Sequence, residues 1–215
     1  MPARVSESLV IRSFPLGEAD LIVSYLTRDQ GKLRGVAKRA RRPKSSFGAG
    51  LERLSHVRMV YYQKENRELT TLDSCELIRS PFGLLSSYET GIALDYMAEL
   101  TEELLPLGEP NEKHFRLLLS VLEYLHAAKG DAKAVWPSTL YFLLWSVRLA
   151  GFLPGLRGRP ESMEVAKEIF ERPVKELTAR DWSRLTCSDL RHGLHRAVED
   201  HIERRLQVAP MLEGL

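Results

Sequence analysis

Seven lysines and arginines, Lys32, Arg34, Lys38, Arg39, Arg41, Arg42 and Lys44, fall between Gln30 and Leu51 with no acidic residue among them. The whole 215-residue chain has a formal charge of only +2, so this positive charge is local. A field that concentrated attracts polyanions, and its cations can pair with phosphates regardless of base sequence. Lys32, Arg34 and Lys38 share one strand parity while Leu33 and Ala37 take the other, which predicts one charged and one buried face. The remaining cations run into a Ser/Gly-containing stretch, Pro43 to Gly50, expected to be a long mobile loop. Two rings nearby, Phe47 inside the loop and Tyr25, are candidates for stacking on unpaired bases, each stack worth about 1–3 kcal/mol. Tyr61 and Tyr62 are adjacent, so in a strand they point to opposite faces and at least one belongs to the core.

Other chemistry is sparse. Cys187, His192, His195 and Glu199 form the nearest thing to a metal-ligand set, and the last three lie close to one helical face. That face is expected to lie away from the apolar stripe and to be a solvated polar surface, so no metal and no cofactor is expected. No GxxxxGK(S/T), GxSxG or HExxH occurs, and Gly48-Ala49-Gly50 lacks the third glycine and the helix that a dinucleotide fingerprint needs. Cys75 and Cys187 are isolated from one another in sequence, which suits a reduced, soluble intracellular protein better than a disulfide-stapled one. The apolar stretch Leu140 to Leu153 is interrupted by Arg148 and too short to span a bilayer.

The elements that must carry these residues change character near residue 80. Residues 1–80 hold 15 basic and 9 acidic side chains, residues 81–150 hold 5 and 9, and residues 151–215 hold 11 of each. A basic binding module joined to a more acidic one is the natural reading. Leu9–Ile11, Leu21–Leu26, Lys32–Lys38, Val57–Tyr62 and Glu68–Leu77 read as five short strands, with Pro15 and Gly17 at one turn and Asn66 at another. Five strands with a long basic loop after the third suit a small barrel of the oligonucleotide-binding (OB) type. From Pro81 the period becomes helical. Tyr88, Ile92, Tyr96, Leu100 and Leu104 form one stripe, ended by Pro106 and Gly108, and Asn111 caps a second helix. Pro137 starts a third, apolar nearly all round over Ser138–Ala150, which marks it as central. A short helix is expected over Ser162–Phe170 and a last one over Ser188–Gln207. The fold class is therefore α+β: an OB-fold barrel over residues 1–80 and an all-α helical bundle over 81–215.

The chain resembles a known family along almost its whole length. Leu9-Val10-Ile11-Arg12, Gly17-Glu18-Ala19-Asp20, Gly31-Lys32-Leu33-Arg34-Gly35-Val36-Ala37-Lys38, Ala40-Arg41-Arg42-Pro43-Lys44-Ser45 and Leu149-Ala150-Gly151-Phe152-Leu153-Pro154 resemble, in that order, stretches of the bacterial RecO family of recombination mediators. Many members carry a four-cysteine zinc module after the last of these stretches. Here Arg157-Gly158-Arg159 stands in its place, so the metal element is expected to be missing.

What the resemblance implies is a non-enzymatic protein that binds single-stranded and double-stranded DNA and anneals complementary strands. It also implies partners: RecR, the C-terminal tail of the single-strand-binding protein SSB, and RecA indirectly. Localisation would be cytoplasmic and nucleoid-associated. The rivals are a protein–protein adaptor whose basic patch docks an acidic segment, and an RNA-binding OB protein.

Overall fold

The computed structural model describes residues 2–64, 67–85 and 87–215. They form two compact units, Met1–Phe82 with Leu105–Phe115, and Gly83–Leu104 with Arg116–Leu215. In the first, five strands β1 (Arg4–Leu16), β2 (Asp20–Thr27), β3 (Gly31–Ala37), β4 (His56–Tyr62) and β5 (Leu69–Arg79) close into a barrel of order β1-β2-β3-β5-β4. β1 serves two neighbours: residues 4–9 pair with β4 and residues 8–16 with β2, so Ser8 and Leu9 pair on both sides, and a register shift between Val10 and Arg12 interrupts the β2 pairing. A bulge there bends the strand, which is how one long strand turns a barrel corner. β3 pairs with β5 in parallel and completes closure.

Period-two alternation fills the barrel. Val23, Tyr25, Leu33, Ala37, Val57, Met59, Tyr61 and Leu72 converge inside, and the rings of Tyr25 and Tyr61 meet edge to face at 5.8 Å. Pro15 is not a turn residue: it lies within β1, opposite Leu21, and the bend comes at Gly17, whose φ is +61°. The end of a strand tolerates a residue without an N–H. Asn66 lies outside the described residues. Gly31 is required twice over, because its φ is +75° and a Cβ there would sit 1.9 Å from the Glu109 carbonyl oxygen.

The helical unit contains α1 (Tyr88–Leu104), most of α2 (Glu112–Ala127), α3 (Val135–Leu149), α4 (Pro160–Glu171), α5 (Ser188–Ile202) and the short α6 (Ala209–Glu213). The carboxamide oxygen of Asn111 accepts the His114 amide at 3.0 Å, an N-cap on α2. α3 is buried along almost its whole length and begins at Val135, so Pro137 falls within the first turn, where amides have no helical acceptor to lose. The helix expected over Ser188–Gln207 is α5, which stops at Ile202, five residues short, because Glu203 turns left-handed at φ +55°, and the separate α6 follows. The Glu99 carboxylate then accepts the amides of Gln207 and Val208, which begin the approach to α6. Among the described residues no helix is long and apolar enough to cross a membrane.

Candidate nucleic-acid interface

The basic connection between β3 and β4 is a chain of tight turns held by apolar pins, in place of the long mobile loop that composition suggested. Phe47, Leu51 and Leu54 are all buried, at 3%, 7% and 2% exposure. The Ser46 hydroxyl donates to the Asp73 carbonyl at 2.8 Å, the Ser13 hydroxyl to that of Leu51 at 2.9 Å, and the Leu54 amide to that of Val10 at 2.6 Å. The Cys75 thiol sits 3.4 Å from the Phe47 carbonyl, and burial pushes its pKa up to about 11, so it is an inert packing group.

Six of the seven cations, Arg34, Lys38, Arg39, Arg41, Arg42 and Lys44, are exposed on this connection and the strand leading into it. Lys32 is not among them, at 4% exposure. The segment Leu105–Phe115 returns along β3, pairing Leu107 with Lys32 and bringing the Gly108 amide to the Lys32 carbonyl at 2.8 Å. Strand parity placed Lys32 on the outer face correctly, but that part of the face is covered. Burial and the nearby Lys32 charge lower the pKa of His114 to about 4, so its imidazole is neutral.

Neither proposed stacking ring can reach a base. Tyr25 has no exposed surface, lies inside the barrel, and its hydroxyl is 2.9 Å from that of Thr70. Phe47 is a peg in the same core. Both corrections have one cause: a small barrel needs aromatic volume inside, and a loop this long needs apolar anchors.

The β1–β2 turn shapes the start of the basic connection. Arg39 has φ +56°, and its amide donates to Oδ1 of Asp20 at 2.7 Å. The Arg41 amide donates to the Ala19 carbonyl at 3.0 Å, its guanidinium to that of Gly17 at 3.4 Å, and the Arg42 amide returns to the Arg39 carbonyl at 3.0 Å. The Gly-Glu-Ala-Asp turn therefore buttresses the arch that carries Arg39, Arg41 and Arg42. Sequence reasoning noted the turn but not this role, since backbone amides leave no residue-type signature.

In the helical unit, the cluster of Cys187, His192, His195 and Glu199 does not converge. His195 is buried at 8% exposure, contrary to the expected solvated face, and its Nε2 lies 2.7 Å from the Tyr96 hydroxyl. His192 stays exposed, and Glu199 accepts the Leu206 amide at 3.1 Å. Among the described residues no group of three or more His, Cys, Asp or Glu is placed to hold a metal. A four-thiolate zinc site does not fit this chain, which has two cysteines, one in each unit. Where the module would stand, residues 152–159 run without regular structure into α4. Asp189 ties down the end of that run by accepting the Arg159 amide and the Ser162 hydroxyl, both at 2.7 Å. Burial opposes its ionisation, yet these donors outweigh it and bring Asp189 down to about 2.

A closed five-stranded barrel of OB-like order with a basic β3–β4 connection, together with a separate helical unit, defines a class of two-part proteins built on an oligonucleotide-binding barrel. Comparison with known families narrows the class. The family model for the recombination protein O N-terminal domain matches residues 1–81, and that for the recombination protein O C-terminal domain matches residues 85–163. The chain belongs to the RecO family of DNA-repair proteins.

Among its relatives, the DNA repair protein RecO of Koribacter versatilis is 37% identical over 98% of both chains. That alignment runs over 244 positions, more than the 215 residues here, so the relative carries residues that this chain lacks. The Salinibacter ruber protein of the same name is 33% identical over 74% of this chain and 60% of its own length. That of Frankia casuarinae is 29% identical over 99% of both.

Proposed function

We propose that this chain is a recombination mediator that works by binding, without catalysis of its own. It holds single- and double-stranded DNA through sequence-blind phosphate contacts, anneals complementary strands and, with RecR, helps load RecA onto SSB-coated single strands. Its working place is the cytoplasm, at the nucleoid. The observation that carries the reading is the rigidly seated arch of exposed cations Lys38, Arg39, Arg41, Arg42 and Lys44, with Arg34 beside it on β3. Annealing requires two polyanions to approach, and cations held on a folded platform lower that repulsion at little ordering cost. Family membership and kinship with proteins named DNA repair protein RecO support the repair context, within which the partner set is part of the proposal.

Replacing Arg41, Arg42 and Lys44 together by Ala tests the reading. Three lost phosphate contacts should flatten the slope of log affinity against log salt on single strands by about 2, and equally for unrelated sequences. A measured slope equal to that of the parent would remove the arch as the DNA surface.

Asp20 supplies a test in which the sign decides. A carboxylate beside the arch repels phosphates, so charge alone predicts tighter binding once it is gone. Its hydrogen bond to the Arg39 amide predicts the opposite for Asp20→Ala, because the arch loses its support. Asp20→Asn keeps an acceptor oxygen and drops the charge. The expected order of DNA affinity is Asp20→Asn above the parent and Asp20→Ala below it, read by fluorescence anisotropy at one salt concentration.

A further inference from the structure

The barrel register places an apolar row on the outer wall that neither the basic connection nor the core uses. Val23 points into the core and pairs with Ser13, so the next pair along, Phe14 and Ile22, points outward. Ile22 is opposite Val36 on β3, and Val36 is opposite Thr71 on β5. Phe14, Ile22 and Val36 therefore form a transverse row across three adjacent strands. Phe14 is 42% exposed, while Ile22 and Val36 are half-buried.

The neighbouring row is charged. Arg12 and Arg34 flank Ser24 across the same three strands, both exposed, about 10 Å apart at two strand spacings. The Arg12 guanidinium lies 5.4 Å from the centre of the Phe14 ring. On the other side of the row, Lys38 follows β3 and leads into the arch. An exposed phenylalanine on a strand is a liability in water. Here it sits between cations, so its complement has apolar faces joined by anions. An unpaired stretch of nucleic acid has that composition, with flat bases on one side and phosphates on the other.

We propose that Phe14, Ile22 and Val36 form a seat for unpaired nucleobases, with Phe14 as the stacking ring and Arg12 and Arg34 as its phosphate clamps. This rests on the DNA-binding reading above and adds to it a distinction between single and double strands. Paired bases are already stacked and hidden, so a duplex engages the cations alone. Stacking also releases no counterions, so it adds affinity without steepening the salt dependence.

The test compares the full chain with Phe14→Ala and Phe14→Trp, using a labelled mixed-sequence single strand, its duplex and an abasic strand of equal length. Phe14→Ala should weaken single-strand binding roughly 5- to 100-fold, leaving duplex affinity and the salt slope unchanged. Phe14→Trp should restore it, and the abasic strand should bind the parent and Phe14→Ala alike. Because the ring is exposed, thermal melts should show all three proteins folded. The seat is overturned if Phe14→Ala matches the parent on the single strand, or if single-strand and duplex affinities fall together. A parent that binds neither oligonucleotide overturns the DNA reading itself, and a partner protein's apolar segment becomes the occupant to seek.

Discussion

Glu213→Ala is expected to destabilise the helical unit by about 3–5 kcal/mol, a large effect for a partly exposed residue five positions into the terminal helix α6. The cause is its partner. The Arg191 side chain is 1% exposed, lies over the Trp136 ring at 4.6 Å, and its Nε is 2.7 Å from Oε1 of Glu213. Nη2 lies 3.0 Å from Oε2, and the remaining donors reach the carbonyls of Thr186 and Arg184 at 2.9 and 2.6 Å. Removing Glu213 leaves a buried guanidinium without a counter-charge. Removing both charges together, as Arg191→Met with Glu213→Leu, should cost far less, since well-packed apolar replacements of buried pairs are often neutral.

Trp136, Trp145 and Trp182 all belong to this unit, so tryptophan fluorescence during urea unfolding reports it selectively. The same probe carries a pH expectation. Burial lowers His195 from 6.5 to about 4, so between those values the unfolded chain binds a proton that the folded chain does not. Stability is therefore full above pH 6.5 and falls as pH drops towards 4. Burial also opposes ionisation of Glu213, but Arg191 outweighs it and holds the carboxyl below 4.5. Its contribution is lost at still lower pH, in the same direction. The urea midpoint should decline steadily from pH 7 to 4, and a midpoint that rises over this range would contradict the assignment.

Phe47→Ala should cost the barrel unit about 3–5 kcal/mol, the usual penalty for emptying a buried aromatic site. Phe47 packs beside Leu51 and Val57 in the barrel core, so its loss leaves a cavity and unpins the basic connection together. Far-UV circular dichroism during urea unfolding measures the loss. Amide hydrogen exchange should show faster exchange at Gly50, whose N–H donates to the Phe47 carbonyl at 2.9 Å. A ring that stacked on bases would behave otherwise, with unchanged stability and weakened single-strand binding. Phe47→Leu, which keeps apolar volume, should recover most of the stability.

The five strands were legible because β1 and β2 carry short runs rich in β-branched residues, β3 alternates charged and apolar residues at period two, and Gly17 and Gly31 mark turns between them. The first helix was legible because its four-residue stripe, Ile92, Tyr96, Leu100 and Leu104, is buried throughout, although Tyr88 at its start stays exposed. Three features were not. Lys32 has the right parity for an exposed cation, but a segment more than seventy positions later covers it, and local pattern carries no information about that return. Phe47 has no alternating neighbours, so its core role shows only when the connection folds back under the barrel. His195 lies one residue from the apolar Leu194, and at helical spacing the adjacent position can turn inward if a partner waits there, as Tyr96 does. The outer row of Phe14, Ile22 and Val36 needed inter-strand register, which a single strand's pattern cannot supply.

The most direct measurement is a titration of a labelled single-stranded oligonucleotide with the chain at several salt concentrations, followed by addition of its complement. The account predicts an affinity that falls log-linearly with salt, is indifferent to base sequence, and is accompanied by faster duplex formation than in buffer alone. Absence of binding at low salt would contradict it and make a protein partner the ligand of the basic arch.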